Sequence, residues 1–368
     1  MNIFVCATAA RNSGALMIVR QFLSSLPTYI NENKYFIFVA KDIEFPKLEG
    51  ISYIPVSTEK WIDRIKWDQS GLKKWQKKHN IDPDLIISFQ NTGVNNKDVP
   101  QLIYYHQLLS LVDYQWNPFR RKERIFFLYK MVYPFFVRKY INKSSEFVVQ
   151  TPFVKDCFIK KFKVNPEQVH IIKPDIGEID LTQVQNKIFE NDYIHFVYPA
   201  TPLIYKNHKD IVLALLKIKE MNQEFYSKIR IHFTFNRNDE RELYALITEN
   251  DLEENFIYEG VLPHDELLSL YKSVNALLYP SYIETLGLPL LESAAFGLPI
   301  VVSDLPYARD AIGCYEGANF IELHNIKHWA DAMLRLCRCP IRYSPLLPSN
   351  KSNWGMFFSL IYKMINSK

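Results

Sequence analysis

Strand-length runs that are apolar almost throughout recur along this chain, with helix-period segments between them. The first set of runs is Asn2–Ala7, Tyr35–Ala40, Ile51–Val56, Asp84–Phe89, Gln101–Tyr105 and Glu146–Gln150. Helix-period stretches fall at Gly14–Leu26, Glu59–His79, Phe119–Asn142 and Pro152–Phe162. A strand that is apolar along its whole length, and not at every second residue, is buried on both faces. Strands of that kind separated by helices form a parallel sheet with helices on either side. The expected class is therefore α/β, a doubly wound sheet. Pro55 has no N–H to give to a ladder, so the third run is either the most marginal of these strands or one at an edge. The run MNIFVCATAA has no cation before its apolar part, so it is expected to be a buried first strand and not a leader peptide.

From Lys173 to Asn191 the pattern lapses into a polar, acidic stretch, and then it starts again. Strands are expected at Ile194–Tyr198, Ile229–Phe235, Phe256–Tyr258, Ala276–Tyr279, Pro299–Ser303 and Asn319–Ile321. The matching helices are Asn207–Lys219, Glu240–Glu249, Pro263–Lys272, Leu288–Phe296 and Lys327–Arg338. The proline-rich stretch Cys339–Asn350 reads as a connection, and Ser352–Asn366 as a last amphipathic helix. A length of 368 residues suits two such domains. In doubly wound sheets ligands bind beyond the carboxyl ends of the strands, so the default site is a cleft between the two domains.

Composition removes several classes. Hydrophobic residues at 48% and charged residues at 23% exclude disorder, collagen and coiled coil for the bulk of the chain. Lys+Arg 44 against Asp+Glu 40 gives +4, too weak a balance for a nucleic-acid binder, so no nucleic acid is expected among the partners. No apolar run approaches the ~20 residues of a membrane span; the longest, Ile125–Val137, is interrupted by Lys130 and Pro134. Cys6, Cys157, Cys314, Cys337 and Cys339 lack framework or metal-ligand spacing and read as buried or idle thiols in a reducing, cytoplasmic compartment.

The stretch from Tyr279 to Pro299 carries most of the chemistry. A buried strand ends at Tyr279-Pro280, a short loop leads to Gly287, and Pro289 with Gly297-x-Pro299 frames a short helix. The amides of Leu286, Gly287 and Leu288 then face outward at a helix N-terminus, which suits a phosphate. Glu284 precedes the helix and Glu292 lies one turn past Leu288. Two carboxylates beside an anion site make sense when each accepts hydrogen bonds from hydroxyls, as a sugar and a ribose supply. The plain alternative is a surface helix with two solvated glutamates. A second loop, Tyr198 to His208, ends at another helix start and carries Lys206, a fixed cation able to oppose charge on a departing diphosphate. Asp82-Pro-Asp84, the lone Asp-x-Asp, precedes its strand and so sits at the wrong sheet edge for a catalytic metal. A metal is not expected.

The Tyr279–Pro299 string, with two glutamates separated by seven residues and Gly-Leu-Pro between them, resembles the donor-site motif of the family 4 (group 1) glycosyltransferases. The resemblance covers roughly Ile194–Ile321 and more weakly the first domain. It implies the GT-B fold, two Rossmann-like domains facing a cleft, and retaining, metal-independent transfer of a hexose-type sugar from a nucleotide diphosphate sugar. It needs no cofactor. It implies an acceptor domain, 1–175, joined by the C-terminal helix 352–368, and a donor domain, 176–350, with hinges near Lys173–Asn191 and Cys339–Asn350. Glu284 would contact the donor sugar's hydroxyls and Glu292 the ribose. Leu286, Gly287 and Leu288 would lie along the diphosphate. Lys206 matches the family's loop lysine, whereas the family's arginine position is Thr201, with Asn207 or His208 as compensating groups. Gly14, in Arg11-Asn-Ser-Gly14, resembles a shortened form of the family's Gly-rich loop. His106, at the end of a strand, matches a family histidine that positions groups near the anomeric carbon.

Glu59–His79 and Phe119–Lys143 combine many Lys and Arg with aromatic rings. Such segments suit an anionic membrane surface, or else send their rings into the core and leave their charges solvated. The first reading places the protein at the inner face of the plasma membrane with a saccharide or lipid-linked acceptor, in surface polysaccharide or glycolipid synthesis. Two other functional readings stay open: an inactive GT-B scaffold that binds glycan or protein partners, and a GT-B nucleotide-sugar epimerase.

Overall fold

Val, Ile, Leu and Phe runs build two wholly parallel sheets. The computed structural model describes residues 1–11, 13–175, 181–189, 192–347 and 352–366. The chain divides into two units, Met1–Asp175 with Asn350–Lys368, and Ile176–Ser349. Asn12 and part of the two expected hinge stretches (176–180, 190–191 and 348–350) lie outside the described residues.

In the first unit the strands are β1 (Asn2–Ala7), β2 (Lys34–Ala40), β3 (Ile51–Val56), β4 (Leu85–Ser88), β5 (Gln101–Tyr104), β6 (Ser145–Val149) and β7 (Val169–Ile171). Their order is β3-β2-β1-β4-β5-β6-β7, with Phe4 of β1 beside Phe36 of β2 and Ile86 of β4. β3, which contains Pro55, is an edge strand, as the missing N–H requires. β7 has no counterpart in the sequence reading; Val-His-Ile is too short to show a period. The helices are α1 (Ser13–Tyr29), α2 (Trp61–Lys66), α3 (Leu72–His79), α4 (Arg124–Lys139) and α5 (Pro152–Phe162). α1 continues past Leu26 through Pro27, whose missing N–H costs it one bond while its apolar face stays packed.

The single helix expected over Glu59–His79 is instead two helices joined by a π turn, Trp67–Gly71. Gly71 lies under the Trp67 ring, where a Cβ would come within 2.4 Å of Cε3. The wide turn directs Asp68 inward, where it is buried. Trp67 and Trp75 also turn inward and meet the Phe38 ring at 5.5 and 5.0 Å. On this segment the core reading of the aromatic rings holds for both tryptophans.

The second unit contains β8 (Ile194–Tyr198), β9 (Ile229–Phe233), β10 (Phe256–Tyr258), β11 (Ala276–Tyr279), β12 (Ile300–Ser303) and β13 (Ala318–Ile321), in the order β10-β9-β8-β11-β12-β13. Its helices are α6 (His208–Met221), α7 (Gln223–Lys228), α8 (Arg241–Thr248), α9 (His264–Ser273), α10 (Leu288–Ala295), α11 (Pro306–Ile312) and α12 (Ile326–Arg338). α11 is also absent from the sequence reading, because two turns of helix give too few residues for periodicity to register.

The last helix, α13 (Trp354–Asn366), belongs to the first unit. Its Phe358 stacks on Phe22 of α1 at 5.5 Å, and its Phe357 lies 5.9 Å from Phe89. Asp175 ties the start of this segment down, accepting from Ser352 Oγ at 2.5 Å and from the Asn353 amide at 3.0 Å. The chain therefore leaves the first unit and re-enters it at one place. All five cysteines are free; Cys6 and Cys337 are buried, but Cys314 and Cys339 are exposed.

In each sheet the strand order runs outward in both directions from one central pair, β1/β4 and β8/β11. At such a switch point the two loops leave toward opposite faces and open a crevice at the carboxyl edge.

Candidate functional site

The loops after β8 and β11 stand side by side because those strands are neighbours at the switch point of the second unit. The first loop ends in a 3-10 turn, Ile204–Lys206, followed by Asn207 in the left-handed region (φ 58°), from which α6 starts. The second loop runs to Gly287, also left-handed (φ 72°), from which α10 starts. Glycine tolerates that conformation at little cost. The two loops are stitched together through their backbones: the Tyr282 amide donates to the Tyr205 carbonyl at 3.0 Å. Asn207 Nδ2 donates to the Pro280 carbonyl at 3.3 Å and to Asp210 Oδ2 at 2.7 Å.

This stitching brings Lys206 Nζ onto Glu284 Oε1 as an ion pair, with side-chain exposures of only 15% and 13%. Tyr279 OH donates to the same carboxylate oxygen at 2.8 Å. Tyr198 OH donates to the Lys206 carbonyl at 2.6 Å, and Tyr307 OH to the Ser281 carbonyl at 2.7 Å. Burial, reinforced by the nearby Glu284 charge, pushes the Tyr198, Tyr279 and Tyr307 phenols far up, so they act as fixed donors. His208 is packed among Tyr198, Phe233 and Phe235 and is held neutral; burial first, and Lys206 second, lower its ring to about 3. It supplies no positive charge where the loop has Thr201, which is exposed.

Glu292, on α10, is buried and holds two partners: Tyr271 OH at 3.2 Å and His264 Nε2 at 3.1 Å. The hydrogen bond to Glu292 raises the His264 ring above its ordinary value. Leu286 is buried and Leu288 half-buried on either side of Gly287. Glu284, Lys206, Asn207, Gly287 and the α10 start thus converge at one switch point, and Glu292 follows within the same helix. The sequence reading missed Tyr279, Tyr271 and His264 as partners of the two glutamates, and Tyr307 as a partner of the loop between them and β11. Tyr279 stands five positions before Glu284, but nothing local marks Tyr271 or Tyr307.

Two other expected residues belong to the first unit. Gly14 lies exposed in the first turn of α1 with nothing within 4 Å of its Cβ position. His106 lies two residues beyond β5. Its amide donates to Asn91 Oδ1 at 2.6 Å, its Nδ1 is buried without a partner, and burial lowers the ring to about 4. Arg11 pairs with Asp42 at 2.7 Å and keeps Nε and Nη2 buried and unpartnered. Between β1 and β4 a polar chain runs from Thr8 Oγ1 to Gln90 Oε1 (2.5 Å) and from Gln90 Nε2 to Asp68 Oδ1 (2.9 Å). Burial pushes the Asp68 carboxyl up to about 7. Asp68 lines a narrow hollow with Trp61, Arg64, Thr92, Tyr133 and Tyr140. Nothing in the sequence brings Thr8, Asp68 and Gln90 together; the topology does. Among the described residues no three His, Cys, Asp or Glu side chains converge as metal ligands do.

Residues 180–348 match the profile of the family described as Glycosyl transferases group 1. The chain is similar to the O-antigen chain mannosyltransferase RfbU of Salmonella typhimurium, with 24% identity over 58% of this chain and 57% of that one. The chain spans about half the length of the curated relatives it matches. Among solved structures, sucrose-phosphate synthase from Thermosynechococcus elongatus superposes with TM-score 0.69 at 15% identity, covering 100% of this chain and 98% of that one. HepE of Anabaena, crystallised with UDP-glucose, superposes with TM-score 0.66 at 12% identity over 100% of both chains. The fold is that of the GT-B glycosyltransferases.

Proposed function

We propose, from the premise that residues 180–348 belong to the group 1 glycosyltransferases and that the chain has the GT-B fold, that this protein is a retaining transferase. It moves a hexose-type sugar from a nucleotide diphosphate sugar to a saccharide acceptor carried on a lipid, in surface polysaccharide or glycolipid synthesis. The observation that carries this reading is the Lys206–Glu284 pair at the β8/β11 switch point, beside a helix that starts from left-handed Gly287.

In this reading the diphosphate lies along the amides of Leu286, Gly287 and Leu288, at the positive end of α10. Lys206 opposes the charge that gathers on the leaving phosphate, and no metal or other cofactor is required. Asn207 fixes the turn that aims Lys206, and Thr201 lines the same loop. Glu284, positioned by Tyr279, accepts from the donor sugar's hydroxyls. Glu292, oriented by Tyr271 and His264, accepts from the ribose. The acceptor hydroxyl attacks the anomeric carbon on the face the phosphate leaves. Its oxygen bonds to carbon as the carbon–phosphate oxygen bond breaks, and its proton passes to the departing phosphate. Gly14 and neutral His106 would position groups on the acceptor side. The domain roles follow: residues 1–175 with 352–368 take the acceptor and 176–350 the donor, at the cytoplasmic face of a membrane.

The test is a panel of nucleotide sugars with saccharide and lipid-linked acceptors, alongside calorimetry with UDP and GDP. Transfer with retained anomeric configuration and unaffected by EDTA supports the reading. Turnover that collapses under EDTA, or Lys206→Ala and Glu284→Ala variants as active as the parent protein, overturns it.

One observation favours a second reading. Thr201 offers no cation, and neither His208 nor the internally bonded Asn207 side chain replaces it. A scaffold that no longer turns over would share this feature, and it need not bind either nucleotide.

A further inference from the structure

The solvent-exposed face of α4 is apolar. Ile125, Leu128, Met131, Val132 and Phe135 all point outward, with Met131 62% and Phe135 64% exposed in the whole chain. Ile125, Leu128, Val132 and Phe135 follow at three or four residues, and with Met131 beside Val132 they form one stripe about a third of the way round the helix. The opposite side of the same helix carries the buried Phe126, Tyr133 and Val137. α4 is therefore apolar on both sides, which a helix facing water alone does not need. Phe119, just before the helix, is 91% exposed, and on α2 Trp61 and Ile62 are exposed too. The Trp61 ring meets the edge of Phe136 at 5.6 Å and so extends the apolar surface across to α2.

The other exposed groups on α4 are Arg124 at its start and Arg138 and Lys139 at its end; exposed Arg120, Arg121 and Lys122 precede it. Between Phe119 and Lys143 the chain has one carboxylate, Glu123, and it is buried against the Asn117 amide and Arg120. An apolar stripe with cations at both ends, and no exposed anion between Phe119 and Lys143, matches an anionic bilayer: acyl chains take the rings and headgroups take the guanidinium and ammonium groups.

We infer that the α4 stripe, with Phe119 and Trp61, is the surface by which this protein lies on an anionic lipid bilayer. This inference deepens the transferase reading and rests on it for the lipid-linked acceptor. Of the two basic aromatic segments, the structure leaves this role to α4 and the start of α2, because Trp67 and Trp75 are spent in the core.

The experiment is co-sedimentation of the full chain with vesicles of phosphatidylcholine, with and without phosphatidylglycerol. The protein is expected to pellet with the anionic vesicles and to be released by high salt. The variant Ile125→Ser with Met131→Ser and Phe135→Ser should lose binding by about tenfold or more. Arg121→Glu with Arg124→Glu should lose the preference for anionic lipid, a second readout that leaves the apolar stripe intact. Melting temperature and calorimetry with UDP establish that each variant is folded. Equal binding to neutral and anionic vesicles overturns the inference, as does a serine variant that pellets like the parent. So does a parent dimer, in the absence of lipid, that the serine variant breaks, since the stripe would then cover a second copy. A parent protein that pellets with anionic vesicles but binds no nucleotide leaves this inference standing and overturns the transferase reading.

Discussion

Lys206 pairs with Glu284 although the two stand 78 positions apart, on loops that follow different strands. The pair leaves one cation and one carboxylate poised together at the carboxyl edge of the sheet, where each can exchange its partner for a ligand group. Lys206→Ala is expected to lower kcat/KM for transfer by about a hundredfold or more, because it removes charge opposed to the leaving group. Glu284→Gln keeps the Tyr279 contact in reach but removes the anion, and should mainly weaken discrimination between donor sugars. Steady-state kinetics over a donor panel read both effects.

Gly287 has φ +72°, and a Cβ there would sit 3.1 Å from Leu290 Cδ1. Gly287→Ala is expected to cost about 1–2 kcal/mol from the left-handed backbone alone and to weaken nucleotide binding by tilting the first turn of α10. Gly260, at φ +71°, is the control. Gly260→Ala should cost a similar amount of stability while leaving nucleotide affinity unchanged, so melting and calorimetry together separate strain from site geometry.

The Asp68 carboxyl is raised from its ordinary 3.8 to about 7 by burial. The folded chain thus holds this proton more tightly than the unfolded chain does. Its contribution to stability is complete at acid pH and is lost as pH rises toward about 7. The loss is bounded by roughly 4 kcal/mol. Asp68→Asn keeps an oxygen for Gln90 and removes the titration. Melting temperatures should fall between pH 5 and pH 8 in the parent protein and stay flatter in the variant; equal slopes would refute the assignment.

His106 has its ring lowered to about 4, so it is neutral across the physiological range. It can position groups but does not arrive protonated. A pH–rate profile of transfer should show no limb near 6.5 that His106→Gln removes, although the variant should be slower at every pH. Proton NMR of the His106 ring should give a midpoint near 4. A midpoint near the ordinary 6.5 would overturn the neutral, positioning role of His106.

The architecture is legible in the sequence wherever a strand is central. Ile-Phe-Val-Cys in β1 and Ile-Val-Val in β12 are apolar throughout because helices cover both of their faces. Legibility fails at the margins, where three-residue β7 and seven-residue α11 carry too few positions for a period. It fails also at the π turn, since a widened helix keeps a helical composition. Within the site, Glu284, Gly287 and Glu292 are visible because they lie on one short string. The phenols of Tyr271 and Tyr307 come from other helices, and only folding brings them to Glu292 and to the Ser281 carbonyl. The Thr8–Gln90–Asp68 chain is hidden for the same reason, as its members are joined by sheet order and not by proximity in sequence.

Helix α13 has a consequence for how the protein is made. The core that Phe22, Leu26 and Phe89 build in the first unit includes Trp354, Phe357 and Ile361. During translation that core waits, with a greasy groove open along α1, until the whole second unit has left the ribosome. The second unit, uninterrupted in the chain, is free to mature first. Synthesis from one end therefore finishes the middle before the beginning, and the interval between the two is when this chain most needs a chaperone.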